Sequence, residues 1–335
     1  MQIQKDIQLA QYTTFKIGGP ARFFCSVRTD AELIQAIGFA QEEHIAIFIL
    51  GGGSNVLITD KGFSGLVIRI GFKGISFDGD TVTAAAGEQW DDLVEQTVTR
   101  GLYGLENLSA IPGTVGATPV QNIGAYGAEV ADTISSVRVL DTTNLTIRDL
   151  GNVECQFSYR DSLFKHEKGR YIILAVTFNL SKKGTVNTTY REVREYFASR
   201  SIASPTLEEV RQAVIEIRWG KLPDWKLWGT AGSFFKNPII SSAHFNELKI
   251  KFPGLPGYPE DDGRIKVSLG WILDHVCNVK GLCVGNVCTY EKQALVLVAK
   301  PGATSEEVVD LAHKLMEQVK EKTGIEIEGE VEWVN

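Results

Sequence analysis

No stretch of this 335-residue chain has the length of a membrane span. The longest uninterrupted apolar runs, near Ile45 and Leu295, reach about a third of the roughly 20 residues required. The N-terminus, Met1-Gln2-Ile3-Gln4-Lys5-Asp6, carries no apolar signal core. These absences make the cytoplasm the expected compartment and leave no membrane partner. Cysteine is scarce. Cys25, Cys155, Cys277, Cys283 and Cys288 are five in number and lack paired C-x-x-C spacing, which argues against zinc and against a disulfide framework. They read as reduced, mostly packed thiols. Positive charge is in deficit, 34 Lys and Arg against 41 Asp and Glu, and the net −7 argues against a nucleic-acid surface. Also missing are G-x-G-x-x-G, G-x-S-x-G and H-E-x-x-H, so a Rossmann site, a serine-hydrolase elbow and a metal centre are all disfavoured.

What remains is an ordinary globular composition, 44% hydrophobic and 22% charged, long enough for two or three domains. Apolar spacing predicts a helix over 30–43 with Asp30 as N-cap and Leu33, Ile37 and Ala40 inward, set between apolar segments in a β-α-β start. Trp90, Leu93, Val94, Thr97 and Val98 mark a second helix, ended by Gly101. Strand-like runs lie at 66–70, 81–86, 134–140 and 171–180. Thr206-x-x-Glu209 and Thr304-x-x-Glu307 are capping boxes that open helices, and Ser268 caps another. The apolar run 294–299 and the alternating tail 325–334 read as strands. The mixture is α+β, with a domain boundary near Lys221, where Leu222-Pro223-Asp224-Trp225 breaks the helical pattern.

The segment 111–127, Ile-Pro-Gly-Thr-Val-Gly-Ala-Thr-Pro-Val-Gln-Asn-Ile-Gly-Ala-Tyr-Gly, holds four glycines, two prolines and no charged side chain. It suits a fixed loop that aims backbone N–H groups at a phosphate or a flat cofactor ring, or a plain glycine-rich connection. Leu50-Gly51-Gly52-Gly53-Ser54-Asn55-Val56-Leu57 is strand, glycine turn, strand, and fits either a pyrophosphate cradle or a tight hairpin. Phe157-Ser158-Tyr159-Arg160-Asp161-Ser162 sets an arginine among polar residues, and Gly232-Ser233-Phe234-Phe235-Lys236 sets a serine on a glycine turn. Gly329-Glu330-Val331 lies near the end. Arg218, Lys221, Lys226 and Lys236 form a local basic cluster in an acidic chain, fit for an anionic ligand or for a solvated face.

Taken together, the loop 111–127, the turn 51–57, Tyr159-Arg160-Asp161-Ser162, Lys221-Leu222-Pro223-Asp224 and Gly232-Ser233-Phe234-Phe235-Lys236-Asn237-Pro238 resemble the UDP-N-acetylenolpyruvoylglucosamine reductase family, in order from about Thr14 to the C-terminus. The resemblance implies an FAD-binding fold of the vanillyl-alcohol-oxidase (PCMH) type in two subdomains plus a C-terminal α+β substrate-binding domain. The boundaries would be 1–70 (joined by the tail 326–335), 71–221 and 222–325. It implies non-covalent FAD, NADPH as co-substrate, a UDP-sugar nucleotide as substrate, and a monomer.

The family's roles transfer by matching residues. Arg160, Ser233 and Glu330 would be catalytic, Ser233 as proton donor and the other two as stabilisers of the enolic intermediate. Gly51, Gly52, Gly53, Ser54 and Asn55 would hold the FAD pyrophosphate, while Pro112, Gly113, Gly116, Gln121, Asn122, Gly124, Ala125 and Tyr126 would wrap the cofactor. Tyr190, Arg218, Lys221, Asn237, Tyr258, Lys266 and Gln293 would face the substrate, with Tyr190 as the mobile tyrosine of the family's longer form. One departure stands out. Gly329-Glu330-Val331-Glu332 replaces the common Pro-Glu-Val-Arg, and only three residues follow Glu332 to pin the tail. The competing functions are a flavin oxidoreductase of the same fold with another substrate, which needs no carbon-protonating serine, and a nucleotide-binding module without catalysis, which needs no flavin.

Overall fold

The computed structural model describes residues 1–335, and the chain divides into two compact units. The first comprises Met1–Ile7, Ala21–Gly52 and Ser64–Gly220; the second comprises Gln8–Pro20, Gly53–Phe63 and Lys221–Asn335. The segment before Lys221 thus contributes to both units, through two short insertions into the second.

In the first unit, the strands Gln4–Gln8, Pro20–Val27, Phe63–Ile70 and Ile47–Leu50 lie in that spatial order. Ile47–Leu50 runs parallel to its neighbour, with Ile47 opposite Leu66. Parallel pairing requires a crossover, and the helix Asp30–Glu42 supplies it, burying Leu33, Ala36, Ile37 and Ala40. Its N-cap is Thr29 rather than Asp30: the Thr29 hydroxyl accepts the Glu32 N–H at 3.2 Å. Thr29 keeps an extended backbone (φ −139°, ψ 156°), so Asp30 falls in the first turn, where its charge faces the positive end of the helix.

A second, antiparallel sheet has the order Thr146–Gly151, Ile134–Asp141, Tyr171–Asn179, Thr81–Ala85, Ile75–Asp78. The helix Trp90–Thr99 packs Trp90, which is fully buried, against Phe178, and the Trp90 indole donates to the Leu108 carbonyl at 2.8 Å. Gly101 follows the helix with φ 68°. Phe23, Ile37, Leu66 and Ile68 share one continuous core with Val82, Trp90, Val137 and Phe178, so both sheets of this unit enclose the same apolar centre. A smaller core joins the helices Arg191–Ala198 and Leu207–Lys221 through Val193, Phe197, Val210, Ala213 and Val214. The Thr206 and Glu209 box holds as expected, with each side chain bonded to the other's backbone N–H.

In the second unit, Phe15, Phe234, Phe235, Leu273, Leu297, Leu311 and Leu315 belong to one core. The helix Ser305–Thr323 starts at the Thr304 and Glu307 capping box and stops at Gly324, φ 71°. Ser268 caps Leu269–Trp271, which continues as a wider π turn over Ile272–Cys277.

Three expectations change here. Only Glu332–Val334 of the tail forms a strand; ahead of it Gly329 makes a single antiparallel bridge to Phe235. That strand pairs in parallel with Val56–Ile58, Trp333 opposite Leu57, so Glu332, Trp333 and Val334 do pin the tail. The glycine turn is therefore no hairpin: the strand before it joins Phe63–Ile70 and the strand after it joins the C-terminus. Finally, Cys283 and Cys288 form a disulfide. The short turn between Cys283–Val284 and Val287–Thr289 sets the two residues directly opposite each other, a juxtaposition that counting and spacing do not reveal. Cys25, Cys155 and Cys277 are buried thiols, as expected. No helix is long and apolar enough to cross a membrane.

Candidate active site

In the first unit the glycine turn and the loop 111–127 meet. A Cβ on Gly52 would sit 2.7 Å from the Gly113 Cα, and one on Gly51 would sit 2.8 Å from the Thr114 hydroxyl. Real Cβ atoms do not approach so closely, so glycine is needed for the two backbones to lie side by side. Gly116 is packed onto Ala86 in the same way, its Cβ position 2.5 Å from the Ala86 Cβ. The result is an uncharged, side-chain-poor backbone surface. That donor set fits a diphosphate bound through main-chain N–H groups and a flat ring beside them.

Further along the loop, two non-glycine residues hold left-handed conformations, Asn122 at φ 43° and Tyr126 at φ 49°. Such positions persist only where the surroundings over-determine them. Asn122 is 1% exposed, and its side-chain amide donates to Glu129 at 2.7 Å and to the Ser158 carbonyl at 3.0 Å while accepting the Ala131 N–H at 3.0 Å. This side chain builds the loop. Any role for residue 122 toward a cofactor is left to its backbone. Tyr126 bonds the Arg218 side chain through its hydroxyl. Burial pushes the Tyr126 phenol up to about 12 against the pull of Arg218, and burial likewise lowers the Arg218 guanidinium from its ordinary value. The Tyr190 ring stands edge-on to Tyr126, centroids 5.5 Å apart.

Arg160 sits at the tip of a closed turn, where Ser158 and Asp161 exchange backbone hydrogen bonds at 3.1 Å each. Its φ of 54° is also left-handed. The guanidinium donates to the Gly124 carbonyl at 2.5 Å and, longer, to the Asn122 carbonyl at 3.4 Å. The Ser162 hydroxyl fastens the turn to the Val120 carbonyl at 2.6 Å. The arginine is thereby oriented by the same loop that meets the glycine turn, so one unit gathers Gly51, Gly52, Gly113, Gly116, Gly124 and Arg160.

The second unit assembles the serine. Gly232, φ 75°, turns the chain with its N–H on the Thr230 hydroxyl, and Ser233 then lies opposite Val296. Phe234 donates to the Leu295 carbonyl on one side, at 2.9 Å, and accepts the Glu330 N–H on the other, at 2.8 Å. Phe234 and Phe235 are each 1% exposed, which immobilises the segment by packing. Gly53 and Asn55 belong to this unit: the Cβ position of Gly53 is filled by the Tyr12 carbonyl, and the Asn55 side chain donates to the Glu330 carbonyl at 3.1 Å. Ser54 stands between them, partly buried. Lys221 ends the long helix just before Leu222, which packs on Cys288, Val296 and Val298 behind the serine strand. Lys236 pairs with Glu328 at 3.6 Å and Lys226 lies over the Trp225 ring, so these two members of the basic cluster have local partners.

Asn237, Tyr258 and Lys266 share one small sheet region. Asn237 accepts the Leu269 N–H at 2.9 Å, Tyr258 lies opposite Lys266 and is 51% exposed, and Lys266 pairs with Glu260 at 2.8 Å. The Gln293 amide rests where Gly270 lacks a side chain, 3.1 Å from the Cβ position. Pro112, Gln121 and Ala125 lie on the loop 111–127, all partly buried. Sequence reasoning missed Asn107 and Thr14. Asn107 is buried and bonds the Tyr126 carbonyl, while the Thr14 hydroxyl bonds the Thr230 carbonyl and steadies the serine turn. Neither belongs to a motif, and only the contacts identify them.

Comparison with known proteins identifies the family. Residues 21–150 match the family model of an FAD binding domain, and residues 224–334 match that of the UDP-N-acetylenolpyruvoylglucosamine reductase C-terminal domain. The chain is 42% identical to the UDP-N-acetylenolpyruvoylglucosamine reductase of Pseudomonas aeruginosa, over 98% of each protein. It is 43% identical to that of Chromobacterium violaceum, again over 98% of both. Among solved structures, the UDP-N-acetylenolpyruvylglucosamine reductase of Thermus caldophilus aligns over 100% of both chains with a TM-score of 0.72 at 25% identity.

Proposed function

The chain belongs to the UDP-N-acetylenolpyruvoylglucosamine reductase family, and we propose from that premise that it uses FAD and NADPH to reduce UDP-N-acetylglucosamine enolpyruvate to UDP-N-acetylmuramate for peptidoglycan. The observation that carries the reading is the serine turn, with Ser233 bridged to Val296 and the next carbonyl, that of Phe234, taking the Glu330 N–H. Two separated motifs meet there, and a plain nucleotide-binding module would have no use for them.

The chemistry that FAD would supply when bound is transfer of hydride from NADPH to the terminal alkene carbon. This chain's residues do the rest. Gly51 to Asn55 and the loop 111–127 hold the cofactor through backbone rather than charge. As negative charge moves onto the substrate's adjacent carbon and carboxylate, the permanently cationic Arg160 guanidinium stabilises it. Ser233 Oγ delivers the proton to that carbon, and Lys221 lowers the cost of the resulting alkoxide until it regains a proton from solvent. Glu330 contributes in its protonated form or by orienting a donor, because a bare carboxylate would repel the developing charge. Tyr190, Arg218, Asn237, Tyr258, Lys266 and Gln293 are the residues we assign to the sugar nucleotide. We place the reaction in the cytoplasm, where NADPH and UDP-sugars are found, carried out by a monomer without nucleic-acid or membrane partners.

The test is turnover by the purified protein. A flavin spectrum is expected, with NADPH oxidation that depends on the enolpyruvyl sugar nucleotide and a product two hydrogens heavier. Colourless protein returns the reading to a nucleotide-binding module. A flavin spectrum without substrate-dependent oxidation points to an oxidoreductase of another specificity.

A further inference from the structure

Asn107 lies in the short helical turn Glu106–Leu108, is 2% exposed, and belongs to none of the motifs that mark the site. Its side-chain amide nitrogen donates to two carbonyls in different segments: Tyr126, at the end of the loop 111–127, and Asn187, three residues before Tyr190, each at 2.9 Å. Three further contacts join the same segments. The Asn187 amide donates to the Gly127 carbonyl at 2.9 Å, the Tyr126 and Tyr190 rings meet edge to face, and Gly127, φ 80°, leaves room for Tyr190, whose Cβ is 3.6 Å from where a Gly127 Cβ would stand. Tyr190 in turn caps the helix Arg191–Ala198, whose core Tyr126 also touches.

We propose that Asn107 is a positioning residue that couples the cofactor loop to the Tyr190 segment, so that a cofactor seated in the loop also sets the position of Tyr190. A buried amide whose two protons reach two different segments keeps both bonds only while those segments stay in one relative placement. Losing that placement leaves two carbonyls without their donor. Order imposed on the loop 111–127 is therefore transmitted to residues 187–190. The inference rests on the reading that this loop receives FAD, and it adds the residue through which the cofactor prepares the substrate-facing tyrosine.

Hydrogen exchange by mass spectrometry on the full chain, with FAD bound and removed, tests it. In the wild type, FAD should slow exchange in both 111–127 and 187–190. In Asn107→Leu, FAD should still slow exchange in 111–127 but leave 187–190 unchanged, and the KM for the sugar nucleotide should rise at least ~5-fold while flavin reduction by NADPH keeps its rate. Asn187→Ala, a substitution at a partly exposed position, should show the same separation in weaker form and serves where Asn107→Leu does not fold. Wild-type protection of 111–127 alone overturns the coupling and leaves the cofactor reading intact. Wild-type protection of neither segment overturns the cofactor reading and the coupling with it. Equal protection of both segments in both variants, or a uniform rise in exchange across the chain, assigns Asn107 a structural role only and also overturns the proposal.

Discussion

Asn55 grips Glu330 by its carbonyl: the Asn55 side chain donates to it at 3.1 Å, and the Asn55 carbonyl accepts the N–H of Glu332 at 3.0 Å. The two residues are 275 positions apart, and the parallel pairing of Val56–Ile58 with Glu332–Val334 continues the clasp. The backbone at Glu330 is therefore held by the end of the glycine turn. Because the Glu332 contact runs through its backbone, the replacement of the family's usual arginine by Glu332 leaves this anchor in place.

Asn55→Ala removes one of these bonds. A single intramolecular hydrogen bond contributes about 0.5–1.5 kcal/mol, so amide exchange at Glu330 and Glu332 should quicken about 2- to 10-fold. Glu332→Arg should leave those rates as they are. A marked slowing in Glu332→Arg would show that the side chain at 332, rather than the clasp, governs the tail.

Ser233→Ala separates the two half-reactions. Flavin reduction by NADPH needs no proton at the substrate carbon and should survive nearly unchanged. Reoxidation by the enolpyruvyl substrate should slow by ~10²–10⁴-fold, the range of a lost general acid. The fold should persist, since the buried Phe234 and Phe235 anchor the segment. Stopped-flow absorbance follows each half separately, and equal slowing of both would remove Ser233 from the proton-donor role.

Arg160→Lys keeps the charge and loses the fork. A lysine amine cannot reach the Gly124 and Asn122 carbonyls and still present a planar pair of donors, as the guanidinium does. Reoxidation should fall by ~10²-fold, in line with the loss of one transition-state donor. A rate within twofold of wild type would mean that charge alone suffices.

Much of this was legible from local chemistry. The capping boxes at Thr206 and Thr304, the inward faces of the helices and the glycine stop at Gly324 depend on neighbours in sequence, and each formed where its residues called for it. Features set by distant partners were not legible. The tail reads as a ten-residue alternating strand, yet only Glu332–Val334 forms one, because its partner Val56–Ile58 is three residues long and Gly329 makes only a single bridge to Phe235. The cap at Thr29 displaced Asp30 because either residue can start a helix and only the backbone angles decide between them. Asn107 gave no signal, since a buried amide acts through where its two protons point. The Cys283 and Cys288 disulfide escaped for a similar reason, since cross-strand register is a property of the hairpin.

The cofactor should be released by acid precipitation. The loop 111–127 contains no histidine or cysteine from which a covalent flavin tether could form. The chromophore should appear in the supernatant, and colour retained in the pellet would require an attachment point elsewhere in the chain.

Alkaline pH should destabilise the protein in a predictable window. Burial, reinforced by Glu32, raises the Cys25 thiol from 9.0 to about 11. Burial, with Glu154 adding to it, raises Cys155 from 9.0 to about 12, and burial raises the Tyr126 phenol from 10.0 to about 12. In each case the folded state keeps its proton where the unfolded chain has already lost it. The unfolded state therefore binds fewer protons, and stability falls as pH rises. The decline should begin near the unfolded value of about 9 and level off only above about 12, with Cys25 completing its share first. Cys283 and Cys288 do not titrate while bonded and take no part. Urea midpoints measured under non-reducing conditions at rising pH would trace the slope. Cys25→Ala combined with Cys155→Ala should lower the midpoint at neutral pH through the cavities left behind, yet flatten the fall above pH about 9; Tyr126→Phe should flatten only the part above about 10. An unchanged slope in all these variants would place the alkaline transition in other groups.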